Sequence, residues 1–316
     1  MNDQFGRKIE YLRLSLTERC TLKCTYCRAS EGLCPKKNEL TADEFLRIVR
    51  VMAPLGIRKV RLTGGEPMLR RDLPEIISGI RAVDGIEEIA MTTNAQHLPG
   101  RSAELKQAGL DRLNISLDSL KPERYKAITG GGSLDLVLTG IDEALSAGFA
   151  PVKLNIVLLR GVNDDEADAF IALTKDRPVH VRFIEWMPLG ENDQSDLRVT
   201  GDELLLARPY LVPVAPLYRG QPSRDYDIPG HAGRVGFIDP VSHRFCSECN
   251  RVRITSDGTL RPCLGDNLEF PLKDVLDGGD EKQLADAIRN AIWNKPENHS
   301  FCRSFHTERT MSRIGG

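Results

Sequence analysis

No stretch of this chain is apolar for long enough to cross a bilayer as a helix, which removes membrane-spanning readings and any membrane partner. The start, Met1-Asn2-Asp3-Gln4, lacks the apolar segment of a secretory signal, so a cytoplasmic location is expected. An excess of either charge is missing too: 43 Lys and Arg face 45 Asp and Glu, a net of −2, which argues against a general polyanion binder and a nucleic-acid partner. No G-x-G-x-x-G follows a first strand, so the usual dinucleotide fingerprint is excluded. Low-complexity stretches are absent, and no internal repeat goes beyond strand–helix units.

What the chain has is size and cysteine. With 316 residues, 41% hydrophobic and 28% charged, it is ample for one large α/β domain and an appendage. Its eight cysteines, with no export signal, read as ligands rather than disulfides, because the cytosol keeps thiols reduced. They group as Cys20, Cys24 and Cys27, then Cys34, then Cys246, Cys249 and Cys263, then Cys302.

The first group, C-x3-C-x2-C, follows a strand-like run over 11–16. A four-iron, four-sulfide cubane needs one ligand per iron, and one short loop supplies only three thiolates here. The iron left over is a place where a second molecule can chelate and accept an electron, as reductive cleavage of S-adenosylmethionine (SAM) requires. Zinc or a redox C-x2-C are the rivals for Cys24 and Cys27 taken alone. With Cys20 ahead of them and Tyr26 inside the last gap, the motif resembles the signature of the radical SAM enzymes.

Downstream, Thr41-Ala42-Asp43-Glu44 is a capping box that opens a helix to about residue 53, stopped by Pro54 and Gly56. The pattern then predicts strands over 59–63, 89–93, 112–117, 152–159 and 179–184. Helices are predicted over 73–82, 103–108, 134–147 and 165–175, with glycine caps such as Gly109 and Gly148. Six parallel βα units fit a doubly wound sheet or part of a barrel. Because polar and glycine-rich residues gather where strands end, the expected fold is α/β, an incomplete (β/α)6 TIM-type barrel. From Pro188 the rhythm stops, so the division expected is 1–187 for the partial barrel and 188–316 for a C-terminal α+β region that closes it. That region shows strand-like pieces over 234–238 and 252–255, a hairpin turn at Ser256-Asp257-Gly258-Thr259, and helices over 271–276 and 281–293.

Gly64-Gly65-Glu66-Pro67 ends the second strand, where Glu66 could hold an ammonium group. Ser116 and Asp118 after the fourth strand and Met187 after the sixth could line a ribose and adenine, although each alone is more often a cap or a packing residue. Arg13, Lys59, Arg61 and Lys153 sit in or beside strands, where a charge is costly unless it meets a counter-charge. Surface carboxylates are one answer for each singly. Four around a barrel mouth suggest an anionic substrate such as a nucleoside triphosphate. The second group, Cys246, Cys249 and Cys263, again has three thiolates, and zinc completed by His243 or Cys302 is the natural rival. Arg251 and Arg253, on one strand face beside it, can fork onto phosphate.

Taken together, Leu12-Arg13-Leu14-Ser15, the first cysteine motif, Arg61 to Pro67, Asn114 to Leu120, Arg182 to Met187, Phe245 to Arg253 and the end Ile314-Gly315-Gly316 are similar to the GTP 3',8-cyclase family, radical SAM enzymes of molybdenum cofactor biosynthesis. The resemblance implies two [4Fe-4S] clusters, on Cys20, Cys24 and Cys27 and on Cys246, Cys249 and Cys263. It implies SAM contacts from Tyr26, Gly65, Glu66, Ser116 and Met187. GTP contacts are implied for Arg13, Lys59, Arg61, Thr92, Lys153, Arg251, Val252 and Arg253, with Arg251, Arg253, Gly315 and Gly316 serving catalysis. The implied chemistry is hydrogen abstraction from C3' of GTP by a SAM-derived radical, attack on C8 of guanine, and reduction to the 3',8-cyclo-7,8-dihydro triphosphate. An external electron donor, cyclic pyranopterin monophosphate synthase as receiver of the product, and a homodimer are the partners it allows. Two departures stand out: Ala95 where the family usually has Gly, and Cys34 and Cys302, which match no ligand. A peptide-modifying radical SAM enzyme and a non-catalytic iron–sulfur or zinc protein are the other readings; the first would carry more C-terminal cysteines, and the second leaves the glycine turn and the arginines without purpose.

Overall fold

Residues 1–27, 39–189, 195–301, 307 and 309–315 are described by a computed structural model of the chain. Strand β1 (Tyr11–Ser15) shows the rule that builds the sheet. Successive side chains point to opposite faces, so Leu12 and Leu14 enter the apolar core while Tyr11 and Arg13 line a cavity. Burying such a leucine is worth roughly 1.5–3 kcal/mol. That gain fixes the register and thereby aims the polar set inward, since a slip of one residue would exchange the faces.

The capping box forms as expected: Thr41 Oγ1 accepts from Glu44 N and Glu44 answers the Thr41 backbone, opening α1 (Ala42–Met52). Then follow β2 (Lys59–Thr63), α2 (Leu73–Arg81), β3 (Glu88–Thr93), α3 (Ser102–Gln107), β4 (Arg112–Ser116), α4 (Pro122–Thr129), α5 (Leu134–Ser146), β5 (Val152–Val157), α6 (Ala167–Ala172) and β6 (Val179–Ile184). Six strand-led units are therefore present, with α4 an extra helix and α6 shorter than expected because a 3-10 turn occupies Asp164–Glu166.

The second half contributes α7 (Gly201–Leu206), β7 (Val212–Pro213), β8 (Arg224–Asp227), β9 (Arg234–Ile238), β10 (Arg251–Ile254), β11 (Thr259–Arg261), β12 (Phe270–Pro271), α8 (Lys273–Gly278), α9 (Glu281–Trp293) and α10 (Met311–Ile314). It does not simply lie across the open side. One sheet runs in the order β12-β11-β10-β1-β2-β3-β4-β5-β6-β9-β8-β7, so the C-terminal half extends both edges of the N-terminal array. β10 pairs in parallel with β1 and β9 in parallel with β6, giving eight parallel strands with antiparallel ribbons outside them. One core runs through both halves, from Leu12 and Val60 to Val252, Ile254 and Leu284. Among the described residues, no helix is long and apolar enough to cross a membrane.

Candidate functional site

The first cysteine loop is seated by the glycine turn. Gly65 N donates to Thr17 O at 2.6 Å and Glu66 N to Arg19 O at 2.7 Å, so the chain leaving β2 clasps the chain leaving β1. A Cβ on Gly65 would lie 2.6 Å from Glu18 O and closer still to Arg19 O. The pair of glycines is thus required by backbone meeting backbone. Gly65→Ala is expected to displace the loop that carries Cys20, Cys24 and Cys27 and to lower the metal the chain takes up, measured by metal analysis after anaerobic reconstitution with iron and sulfide; full iron in the variant would contradict this. Glu66 itself corrects an expectation. Its carboxyl is buried and accepts from Met68 N (3.0 Å), Thr93 Oγ1 (2.8 Å) and Asn94 N (2.7 Å), which turns it inward, off the cavity wall. Burial outweighs these donors and lifts its pKa to about 7.

Cys20, Cys24, Cys27, Tyr26, Gly65, Thr92, Ser116 and Met187 all line one cavity at the C-terminal ends of the strands. Tyr26 Oη donates to Asp118 Oδ2 at 2.6 Å, and Asp118 Oδ1 accepts from Val157 N at 2.9 Å, tying the loop to β4 and β5. Burial pushes the Asp118 carboxyl up to about 6 and, with Asp118 beside it, raises the Tyr26 phenol. Burial, then Asp118 and the neighbouring thiols, raises Cys24 well above the ordinary thiol range. Leu22 N and Asn94 Nδ2 point at Cys20 Sγ, at 3.4 and 3.6 Å, as donors suited to a thiolate. The next residue, Ala95, has φ of 59°, the left-handed conformation in which glycine is cheaper. Alanine keeps the turn at a cost of roughly 1–2 kcal/mol, with Ala95 N held by Thr93 Oγ1 at 3.0 Å.

Below this mouth the inner face is basic. Register places Arg253 of β10, Arg13 of β1 and Arg61 of β2 side by side, about 4.8 Å between strands. The Nε atoms of Arg13, Arg61 and Arg182 are buried without a hydrogen-bond partner among the described residues. Burial, then the neighbouring guanidiniums, holds Arg13 well below its ordinary pKa, lowers Arg253 to about 10 and lowers Arg182 to about 9. Lys153 follows the same logic, falling to about 6 through burial, then Arg182, Arg112 and Arg61. Like charges crowded out of water are tolerable where an anion completes them. Arg182 was not singled out from the sequence, yet as a guanidinium inside the apolar strand β6 it carries the same signal as Arg61. Lys59 does not line the cavity; its Nζ lies 4.2 Å from the centre of the Tyr218 ring, which does. Val252 is corrected: it is buried in the core on the opposite face from Arg251 and Arg253, so its side chain meets the helix layer.

The second group closes the other side of the same cavity, which Cys246, Cys249 and Cys263 all line. Arg251 Nη2 donates to Cys249 Sγ at 3.6 Å, and its guanidinium lies over the Phe245 ring. Burial would raise the Cys249 thiol, but Arg251 and Lys295 bring it down to about 6. His243 is turned away, its Nε2 2.6 Å from Asp202 Oδ2, so it does not complete a zinc site. Cys34 and Cys302 lie outside the described residues, as does Gly316. Gly315 is docked in the barrel: its carbonyl accepts from Arg253 Nη1 at 2.6 Å, and a Cβ there would lie 2.7 Å from Thr63 Oγ1 and 2.8 Å from Ser15 Cβ.

Among the described residues, no three His, Cys, Asp or Glu side chains converge as on a single metal ion. Two sets of three free thiols line one cavity, with N–H donors aimed at the Cys20 and Cys249 sulfurs, a donor set that suits an iron–sulfur group.

Comparison with known proteins agrees with this geometry. The Radical SAM superfamily profile matches residues 14–174, and the Molybdenum Cofactor Synthesis C profile matches residues 179–301. A protein of Alkaliphilus oremlandii named GTP 3',8-cyclase is 47% identical over 322 residues, covering 100% of both chains. One of the same name from Geobacter sulfurreducens is 44% identical, covering 99% of both. Among solved structures, Streptococcus suis SuiB bound to S-adenosylmethionine superposes with a TM-score of 0.58 at 15% identity, covering 97% of this chain and 70% of that one, a likeness of fold.

Proposed function

This chain belongs to the GTP 3',8-cyclase family of radical SAM enzymes, and from that premise we propose that it joins C3' of GTP to C8 of the same nucleotide's guanine. The product is (8S)-3',8-cyclo-7,8-dihydroguanosine 5'-triphosphate, the first intermediate of molybdenum cofactor biosynthesis. The observation that carries the reading is the row of Arg253, Arg13 and Arg61 in strand register, two of them with buried Nε atoms that have no partner among the described residues, in a cavity that both three-thiol groups line.

Cys20, Cys24 and Cys27 would hold the [4Fe-4S] cluster that serves SAM, and Cys246, Cys249 and Cys263 would hold a second one that helps to bind the substrate. Together with SAM, the first cluster supplies one-electron reduction and hydrogen-atom abstraction when bound. The chain's own part is to hold and to exclude water. Tyr26, Gly65, Ser116 and Met187 border the SAM end, where Asp118 pins the Tyr26 hydroxyl. Arg13, Arg61 and Arg182, which line the cavity, would receive the triphosphate, whose charge would restore a full positive charge on Lys153, a neighbour of these arginines that does not itself line the cavity. Thr92 lines the same cavity, and Arg251 and Arg253 would orient the nucleotide beside the second triad. Arg253 holds the Gly315 carbonyl, and in this reading Gly315 and Gly316 serve the turnover of the bound nucleotide. On the same reading residues 1–187 form the partial barrel that binds SAM and receives the triphosphate, and residues 188–316 carry the second cluster and the tail, with an external electron donor and a downstream pyranopterin synthase as partners.

The test is an anaerobic assay followed by mass spectrometry. GTP is expected to be consumed only when SAM and a strong reductant are both present, with loss of GTP matched by 5'-deoxyadenosine. GTP left intact while SAM is cleaved would sink the cyclase assignment and leave a radical SAM enzyme of another substrate.

A further inference from the structure

Lys295 follows α9 and is 1% exposed, although a lysine at a helix end ordinarily reaches water. Its Nζ donates to Arg251 O at 2.9 Å and to Pro262 O at 2.5 Å, joining the segment just after Cys249 to the residue just before Cys263. Lys295 also lines the cavity shared with those cysteines, and among the described residues it has no carboxylate partner. The neighbouring segment is clamped as well: Arg7 Nη1 donates to Cys246 O at 2.9 Å and to Glu297 O at 2.8 Å, and Arg7 Nη2 to Pro296 O at 2.7 Å. Arg7 has Asp3 as its counter-ion, at 2.6 Å, while among the described residues Lys295 has carbonyl oxygens as partners and the cysteine-lined space beside it.

A buried ammonium held by two backbone carbonyls is costly unless negative charge stands nearby. A cluster held by three thiolates is net negative and becomes more so on reduction, so a fixed cation beside it favours the reduced state. We propose that Lys295 is a positioning residue of the second thiolate triad: it staples the Cys249 and Cys263 segments together, and its charge raises the reduction potential of the centre they hold. The proposal rests on the reading that this triad carries a cluster. The buried charge, rather than the staple alone, is what the reaction would use, since electron flow through the site depends on that potential.

The test is a potentiometric titration followed by electron paramagnetic resonance, in a Cys24→Ser background so that the signal belongs to the second centre. Lys295→Met is expected to keep about four irons per chain while its reduced fraction at a fixed poise falls about tenfold, equivalent to about 59 mV for a one-electron couple. Lys295→Arg should stay near the parent. If the methionine variant fails to assemble, Lys295→Gln, whose amide still donates to a carbonyl without carrying charge, should show the same shift. An unmoved potential in the uncharged variants with iron intact would overturn the proposal. Absence of iron from the Cys24→Ser parent itself would instead defeat the second-cluster reading beneath it.

Discussion

Cys24→Ser is expected to abolish formation of 5'-deoxyadenosine and to reduce the iron of anaerobically reconstituted protein from about eight to about four atoms per chain. The reasoning starts from the loop: Cys24 lines the cavity with Cys20 and Cys27, and Cys27 N donates to Cys24 O at 3.0 Å, so the three thiols share one compact turn. Serine keeps the turn but removes a soft ligand that an alkoxide does not replace at neutral pH. GTP binding should survive, because Arg13, Arg61, Arg251 and Arg253 lie on separate strands rather than on this loop. Metal analysis, SAM-cleavage assays and anaerobic equilibrium binding of GTP separate these outcomes. A variant that still cleaves SAM would remove Cys24 from the ligand set.

Arg253→Ala should weaken GTP binding roughly 10- to 150-fold, the range of about 1.5–3 kcal/mol for a hydrogen bond to a charged group. Product formation should fall further than affinity, because the same guanidinium holds the Gly315 carbonyl and with it the docked tail. SAM cleavage should persist, since Arg253 lies on β10, away from the first cysteine loop. Arg253→Lys retains the charge without the fork, and is expected to recover affinity only in part. Anaerobic calorimetry and product quantification at saturating GTP distinguish binding from turnover. Unchanged GTP affinity in the alanine variant would take the arginine row out of substrate recognition.

Much of this architecture was legible because the strands obey a period of two. Where β2 reads Lys-Val-Arg-Leu-Thr, apolar residues must face helices and the rest must face inward, and β2 and β6 have the bounds that the pattern predicts. The same rule, applied to Arg251-Val252-Arg253, would have sent Val252 to the core, and applied to β6 would have drawn out Arg182. Turns gave less away. Nothing in Gly-Gly-Glu-Pro says which way the glutamate points once Pro67 starts a 3-10 turn, and Glu66 caps that turn from inside. The strands added at the edges were hard to foresee because β7, β8, β11 and β12 are two to four residues long and gain their order from pairing across distant sequence. α4 has a weak apolar stripe, although Pro122 and the left-handed Gly130 mark its ends. Ala95 shows the converse: a backbone bend set by its surroundings prevails over the preference of the residue that occupies it.

The account turns on one nucleotide lying in a cavity walled by both cysteine groups, with its ribose at the SAM end. Its most direct test is the anaerobic assay run with GTP deuterated at C3', reading the isotopic mass of the 5'-deoxyadenosine formed. Deuterium carried into 5'-deoxyadenosine, in step with GTP loss, is the result expected. Unlabelled 5'-deoxyadenosine alongside GTP that keeps its deuterium would contradict it.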